Sequence, residues 1–231
     1  MNGKNLNKEQ NPIPQLESIY REHWNHARHY ENVRLWYTKI YVAAVGALLV
    51  FMLQAGYGDQ TDFGSIPALA LFGLILSEMG FVVIIDASLG YIHYITDIVM
   101  IYYYWDTMEF YTHPAKPVYF TKLLLFFYEF MSALFAVLYL LYASQIWIPY
   151  QLFQEYLILL PLVFGIILTG MEGLYRLRWR RYFMENWDFV RTLKSDVEGY
   201  YRSEWETWFK DPDFRRKIII DAREREILPP P

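Results

Sequence analysis

The sequence predicts an all-α integral membrane protein, a four-helix bundle with helical cytoplasmic extensions, and two observations predict it. Four long apolar runs, at about 36–55, 67–87, 123–147 and 156–175, each reach the roughly 20 residues a helix needs to cross about 30 Å of hydrocarbon. The basic residues avoid those runs: of 21 Lys and Arg, five precede residue 35 and thirteen lie from Arg176 onward, leaving Lys39, Lys116 and Lys122 between. The loop 56–66 carries Asp59 and Asp62 but no base, the connection 148–155 has none, and the loop 106–122 has two. Under the positive-inside rule this places both termini and the middle loop in the cytoplasm, as a multi-pass protein of the inner membrane.

The elements follow in order. Residues 1–14 are polar, end in two prolines and read as a mobile tail. From 15 to 35, Leu16, Tyr20, Trp24, Ala27 and Val33 recur at steps near three and four, which suits an amphipathic cytoplasmic helix running directly into the first span. The 36–175 region is the four-span domain. Its second run stays apolar to about residue 105 with no turn signal stronger than Gly90, a length of about 57 Å at about 1.5 Å per residue. A single long or kinked helix whose second half enters a cytoplasmic bundle fits better than a reversal near Asp86. In 176–231, Phe183, Val190, Leu193, Val197, Tyr200 and Tyr201 continue at helical spacing, so the last span is expected to run on to about Phe209. Asp211-Pro212-Asp213 breaks it and can cap a short final helix containing Ile218 to Ile220.

Composition removes several classes. Without cysteine there is no disulfide framework, iron–sulfur cluster or zinc ribbon. No glycine-rich phosphate loop followed by Lys-Ser or Lys-Thr occurs, and no Asp or Glu has a His three positions on, as a di-iron carboxylate bundle requires. The C-terminal bases alternate with nearly as many acids, a solvated or partner-facing pattern and not a nucleic-acid groove. The 45 aromatic residues fit interfacial belts and bundle packing, and no spanning histidine is available to ligate haem. The first 34 residues are too polar for a cleavable signal sequence, so the first span is expected to serve as the membrane signal.

Acids carry the remaining information, with ten against three bases between residues 35 and 175. Glu78 lies about 16 Å from Pro67, near mid-bilayer, where a carboxylate costs about 2.5 kcal/mol or more and commonly marks function; the structural alternative is a protonated Glu hydrogen-bonded to a neighbouring helix. Glu129, about 9 Å inside if its helix enters near Leu123, has no partner in its own helix, and with Glu78 it can form an acidic path favouring cations. Glu172 precedes Arg176 by four residues, the favourable order for an intrahelical pair. On the second helix Glu78, Asp86, His93, Asp97 and Tyr104 fall on one polar stripe, whose lower part, Asp86, His93 and Asp97, is cytoplasmic. His93 with Asp97, and His23, His26 and His29 together, offer too few ligands to specify a metal site. Arg34, Lys39, Arg176, Arg178, Arg180 and Arg181 are expected as inner-interface anchors.

The juxtamembrane passage His26-Ala-Arg-His-Tyr-Glu-Asn-Val-Arg34-Leu-Trp-Tyr-Thr38-Lys-Ile-Tyr-Val-Ala-Ala, about 20 of 231 residues, resembles the segment leading into the first span of small prokaryotic multi-span membrane effectors associated with antiviral defence systems. The resemblance implies a cytoplasmic part that senses a partner or nucleotide signal, and membrane helices that oligomerise to permeabilise or depolarise the membrane. No catalytic or ligand residue carries over from it.

The expectation is a non-enzymatic homo-oligomer, without cofactor or metal, that forms or gates a cation-permeable path lined by Glu78 and Glu129. Its partners would be the lipid bilayer, copies of itself and a cytoplasmic protein met by the C-terminal helices, with no nucleic acid. The alternative is a membrane anchor or accessory subunit that recruits such a partner and conducts nothing.

Overall fold

The computed structural model describes residues 14–57, 65–111, 120–147 and 159–225. Eight α-helices occur among them and no strand: α1 (Pro14–Tyr57), α2 (Ser65–Tyr104), α3 (Phe120–Trp147), α4 (Leu160–Arg178), α5 (Arg180–Ser195), α6 (Tyr200–Ser203), α7 (Trp205–Trp208) and α8 (Phe214–Glu224), with a 3-10 turn at Met108–Phe110. The first four are long and apolar enough to cross a membrane. The N-terminal tail to residue 13, the base-free connection 148–155, the first residues of the fourth run and the terminal prolines lie outside the described residues.

The amphipathic segment and the first run form one uninterrupted helix, α1, and the second run is helical to Tyr104 as its apolar length predicts. Gly90 does not break α2. Its missing side chain admits the ring of Tyr30, which lies where a Cβ would be. Beyond Tyr104 the chain stops in a Schellman arrangement: Asp106 takes the left-handed conformation at φ 59°, its N–H donates to the Tyr103 carbonyl, and the Thr107 N–H reaches back to the Tyr102 carbonyl. Asp is among the few residues other than Gly that tolerate this position.

Two expectations near the C-terminus need correction. The helix does not run to Phe209: α5 ends at Ser195, and Gly199, at φ 71°, turns the chain before two single-turn helices. The Asp196 carboxylate, by bonding the backbone N–H groups of Tyr200 and Tyr201, makes ending α5 there more favourable than continuing it. Nor does the Asp-Pro-Asp segment supply a side-chain cap to α8. Asp213 is the N-cap residue without a capping bond, while Asp211 accepts from the Asp213 N–H at 2.8 Å and closes its own turn.

The chain divides into two compact units. The spanning unit holds the described parts of Tyr30–Gly90 and His113–Glu185. Its core is built around α2, where Gly73, Ser77 and Gly80 form a strip of small residues toward α3. The rings of Phe135 and Tyr128 occupy the space that side chains at Gly73 and Gly80 would take. Tyr41 of α1 closes the cluster, its hydroxyl 2.5 Å from Ser77 Oγ and its ring centroid 4.6 Å from that of Tyr128. Small residues at such positions let helices approach where lipid supplies no hydrophobic drive of its own. On α4 only 6% of the apolar window is buried, against 50% on α3, so α4 covers its neighbour with one edge and leaves most of its surface open.

The three-segment unit holds the described parts of Met1–His29, Tyr91–Thr112 and Asn186–Pro231. Ala27 from α1, Ile98 and Val99 from α2, Phe189 and Leu193 from α5, Tyr201 from α6, and Ile218 and Ala222 from α8 form its core, each under 2% exposed, with Tyr103, Val190, Ile95 and Ile219 around them. Of the apolar stripe expected over 183–201, Val190, Leu193 and Tyr201 enter this core, whereas Val197 is 90% exposed.

Candidate functional site

The intramembrane acids take different positions. Glu78 is exposed, on the outward face of α2 among the exposed apolar side chains of Leu71, Phe72, Ile75, Met79 and Val82. Asp86, two turns on, is exposed on the same face. Glu129 is buried, 3% exposed, and its Oε1 has no hydrogen-bond partner. The charged groups acting on it are Glu172 and Arg176, both on α4. Those two are paired at 2.5 Å, as their spacing predicts. Within one chain, then, Glu129 belongs with α4, and Glu78 with the surface of the spanning unit.

A second polar centre lies in the three-segment unit around Asp97. Arg215 of α8 donates to its Oδ1 at 2.6 Å, while His93 Nε2 and His23 Nδ1 lie 3.5 and 3.6 Å from its Oδ2. Arg215 also reaches Asn186 Oδ1 at 3.2 Å, and the same oxygen accepts from the hydroxyl of Thr96 at 3.2 Å. The three histidines of α1 therefore do not act as one set: His23 turns to Asp97, and His26 stacks on Tyr94 with ring centroids 4.9 Å apart, 3.6 Å from Glu22. Among the described residues no three His, Asp or Glu side chains are placed to hold a metal ion. Arg215 already supplies the positive charge opposite Asp97.

The Asp97 pair gives a graded prediction. Both partners are only 20–25% exposed, so Arg215→Met should destabilise the unit by about 1.5–3 kcal/mol, the range for a hydrogen bond to a charged group. Arg223→Met breaks the more exposed pair with Asp188 and should cost no more than about 1 kcal/mol. Chemical denaturation of the two variants side by side checks the order.

A third cluster had no local signal in the sequence. Asp196, 8% exposed, accepts from the Tyr103 hydroxyl and from the backbone N–H groups of Tyr200 and Tyr201 at 3.0 and 3.1 Å, while Tyr103 Oη accepts from the Arg202 N–H at 2.9 Å. Arg202 also pairs with Asp106, joining the end of α2 to α6. Nearby, the Tyr201 hydroxyl donates to Asp221 at 2.8 Å. Burial, then that bond, pushes the Tyr201 phenol well above its ordinary range, so it stays a neutral donor.

The basic residues expected as anchors divide. Arg178, Arg180 and Arg181 are exposed, Arg178 over the Trp179 ring at 5.7 Å and Arg181 paired with Glu185 at 3.0 Å. Lys39 is exposed beside Trp36, and Arg176 is held by Glu172. Arg34 instead turns inward: it is 7% exposed and donates to Thr121 Oγ1 of α3 at 2.9 Å. Its place just before the first span suggested a headgroup contact, but a guanidinium that finds a hydroxyl across a helix contact is held by that bond. Compared with protein-family models, with curated proteins and with solved structures, the chain matches none.

Proposed function

We propose that the chain is a non-enzymatic, homo-oligomeric membrane protein that forms or gates a cation-permeable path, with both termini in the cytoplasm and the three-segment unit as its control element. The observation that carries this reading is the outward position of Glu78. In hydrocarbon an uncovered acid costs about 2.5 kcal/mol or more at mid-bilayer, and such residues usually face protein or a water-filled space. A second copy against this face of α2 would take Glu78 out of lipid, and a closed ring would gather the Glu78 side chains around one opening, as acidic rings do in cation channels. Glu129 is the inner acid of the same unit. The likeness of the lead-in segment to defence-associated effectors supports oligomerisation as the mode of action.

Native mass measurement of the full chain in nanodiscs tests the assembly, with a closed ring of about four or more copies expected. In reconstituted vesicles Glu78→Gln should lower cation flux and the preference for cations over anions. Unchanged flux and selectivity would overturn the path.

The structured core and polar network of the three-segment unit favour a second reading, in which this unit is a platform for a cytoplasmic partner and nothing is conducted. A monomer or dimer in nanodiscs would support it. Truncating the C-terminus is a poor test, since it removes Phe189, Leu193 and Ile218 from the core. Substituting Val197, 90% exposed, with Asp leaves that core intact. Partner recovery unaffected by this and similar surface changes would remove the second reading.

A further inference from the structure

Glu129 differs from every other acid among the spans in being closed off from solvent without a bond at its Oε1. It lies about 14 Å along α3 from Phe120 at about 1.5 Å per residue. One turn further on, the Ser132 hydroxyl is 0% exposed and also unpartnered. A carboxyl kept for structure is normally tied to a donor on the next helix, because a buried polar group is otherwise unfavourable. Here the neighbouring helix, α4, offers Glu172 and Arg176, which are committed to each other at 2.5 Å, and the neutral phenol of Tyr175, which brings no charge. One guanidinium therefore balances one carboxylate. The second carboxylate, Glu129, has only a proton to balance it.

Glu172 and Arg176 are 39% and 60% exposed and lie within the last two turns of α4, at the end where α3 begins. We propose that Glu129 is a proton-binding site of the spanning unit, loaded and emptied through Glu172 from the side on which α3 starts and α4 ends. Ionisable side chains inside spans are the usual stations of proton relays. The inference rests on α3 crossing the membrane and not on the path proposed for Glu78.

The test is carbodiimide modification of the full chain in nanodiscs from about pH 5 to about pH 9, read by peptide mass mapping. The reagent requires a protonated, apolar-shielded carboxyl: the acid proton passes to one nitrogen as the carboxyl oxygen bonds to the central carbon. An adduct at Glu129 that is strong at the acid end and fades toward the alkaline end is expected. Glu129→Gln should abolish it. Glu172→Gln, which removes a neighbouring negative charge and frees Arg176, should move the fading to lower pH. An adduct constant across the range, or none at any pH while Glu78 is modified, would overturn the proposal. If Glu129→Gln does not insert, the infrared carbonyl stretch of a protonated carboxylic acid in a Glu78→Gln variant supplies the same readout. Its loss with rising pH is expected, and its persistence at every pH would overturn the proposal. Glu129 labelling that survives in a Glu78→Gln variant of unchanged flux would sink the path and keep this site.

Discussion

Gly80→Leu should be the most damaging single substitution in the spanning unit, lowering stability by about 3 kcal/mol or more, toward the upper end of what overpacking costs. A Cβ at this position falls on the Tyr128 ring, which is fully buried and hemmed in by Tyr41, itself fixed through Ser77. Moving the ring disturbs contacts that join α1, α2 and α3. Loss of α2–α3 packing would be a large share of the roughly 5–15 kcal/mol that holds a typical domain. Gly165→Leu on α4 is the control, because a Cβ there meets nothing within 4 Å, and its effect should stay within about 0.5 kcal/mol. Thermal unfolding of the two variants in one detergent separates them. Adding Tyr128→Leu to Gly80→Ala should recover part of the loss that Gly80→Ala causes alone, since the two sites share one volume.

Asp196→Ala is expected to cost about 3–5 kcal/mol in the three-segment unit. It removes both acceptor oxygens of the carboxylate and strands two buried donors, the Tyr103 hydroxyl and the Tyr201 N–H, and one part-buried donor, the Tyr200 N–H, a buried unsatisfied donor being worth about 1–3 kcal/mol. Tyr103→Phe deletes only one of these donors and should cost about 1–2 kcal/mol. The double variant should cost less than the sum, because both act on one network. Amide hydrogen exchange gives the local readout: protection at Tyr200 to Arg202 should fall first, then along α8. Equal protection in Asp196→Ala and the unmodified chain would mean that the turn is held by packing alone.

Much of this architecture was legible because it rests on length and periodicity. An apolar run can be counted, so α2 was expected to continue to about residue 105 and ends at Tyr104. The Glu172–Arg176 pair is a spacing of four on one helix and needs no tertiary information. The end of α5 was not legible, because the apolar spacing continues past it. What stops the helix is a carboxylate whose hydroxyl donor, Tyr103, is 93 residues away. Arg215 is likewise 118 residues from Asp97. The polar stripe on α2 was visible as angles, but angles on one helix do not say which side meets protein. Glu78 and Asp97 share that stripe at different depths, yet one is exposed and the other is gripped by Arg215. Arg34 misled for the same reason.

The three-segment unit also has a consequence for how the chain must be made. Its core requires α1 before the first span, the end of α2 after the second, and α5 to α8 after the fourth. If all four apolar helices cross, these segments reach the same face of the bilayer only when the number of crossings between them is even. A chain that skips one insertion would leave Ala27, Val99 or Ile218 stranded on the wrong side, with no way to close the unit. Because Ile218 and Ala222 emerge last, closure waits until every span has been synthesised. If all four helices cross, the unit therefore closes only in chains threaded through every span.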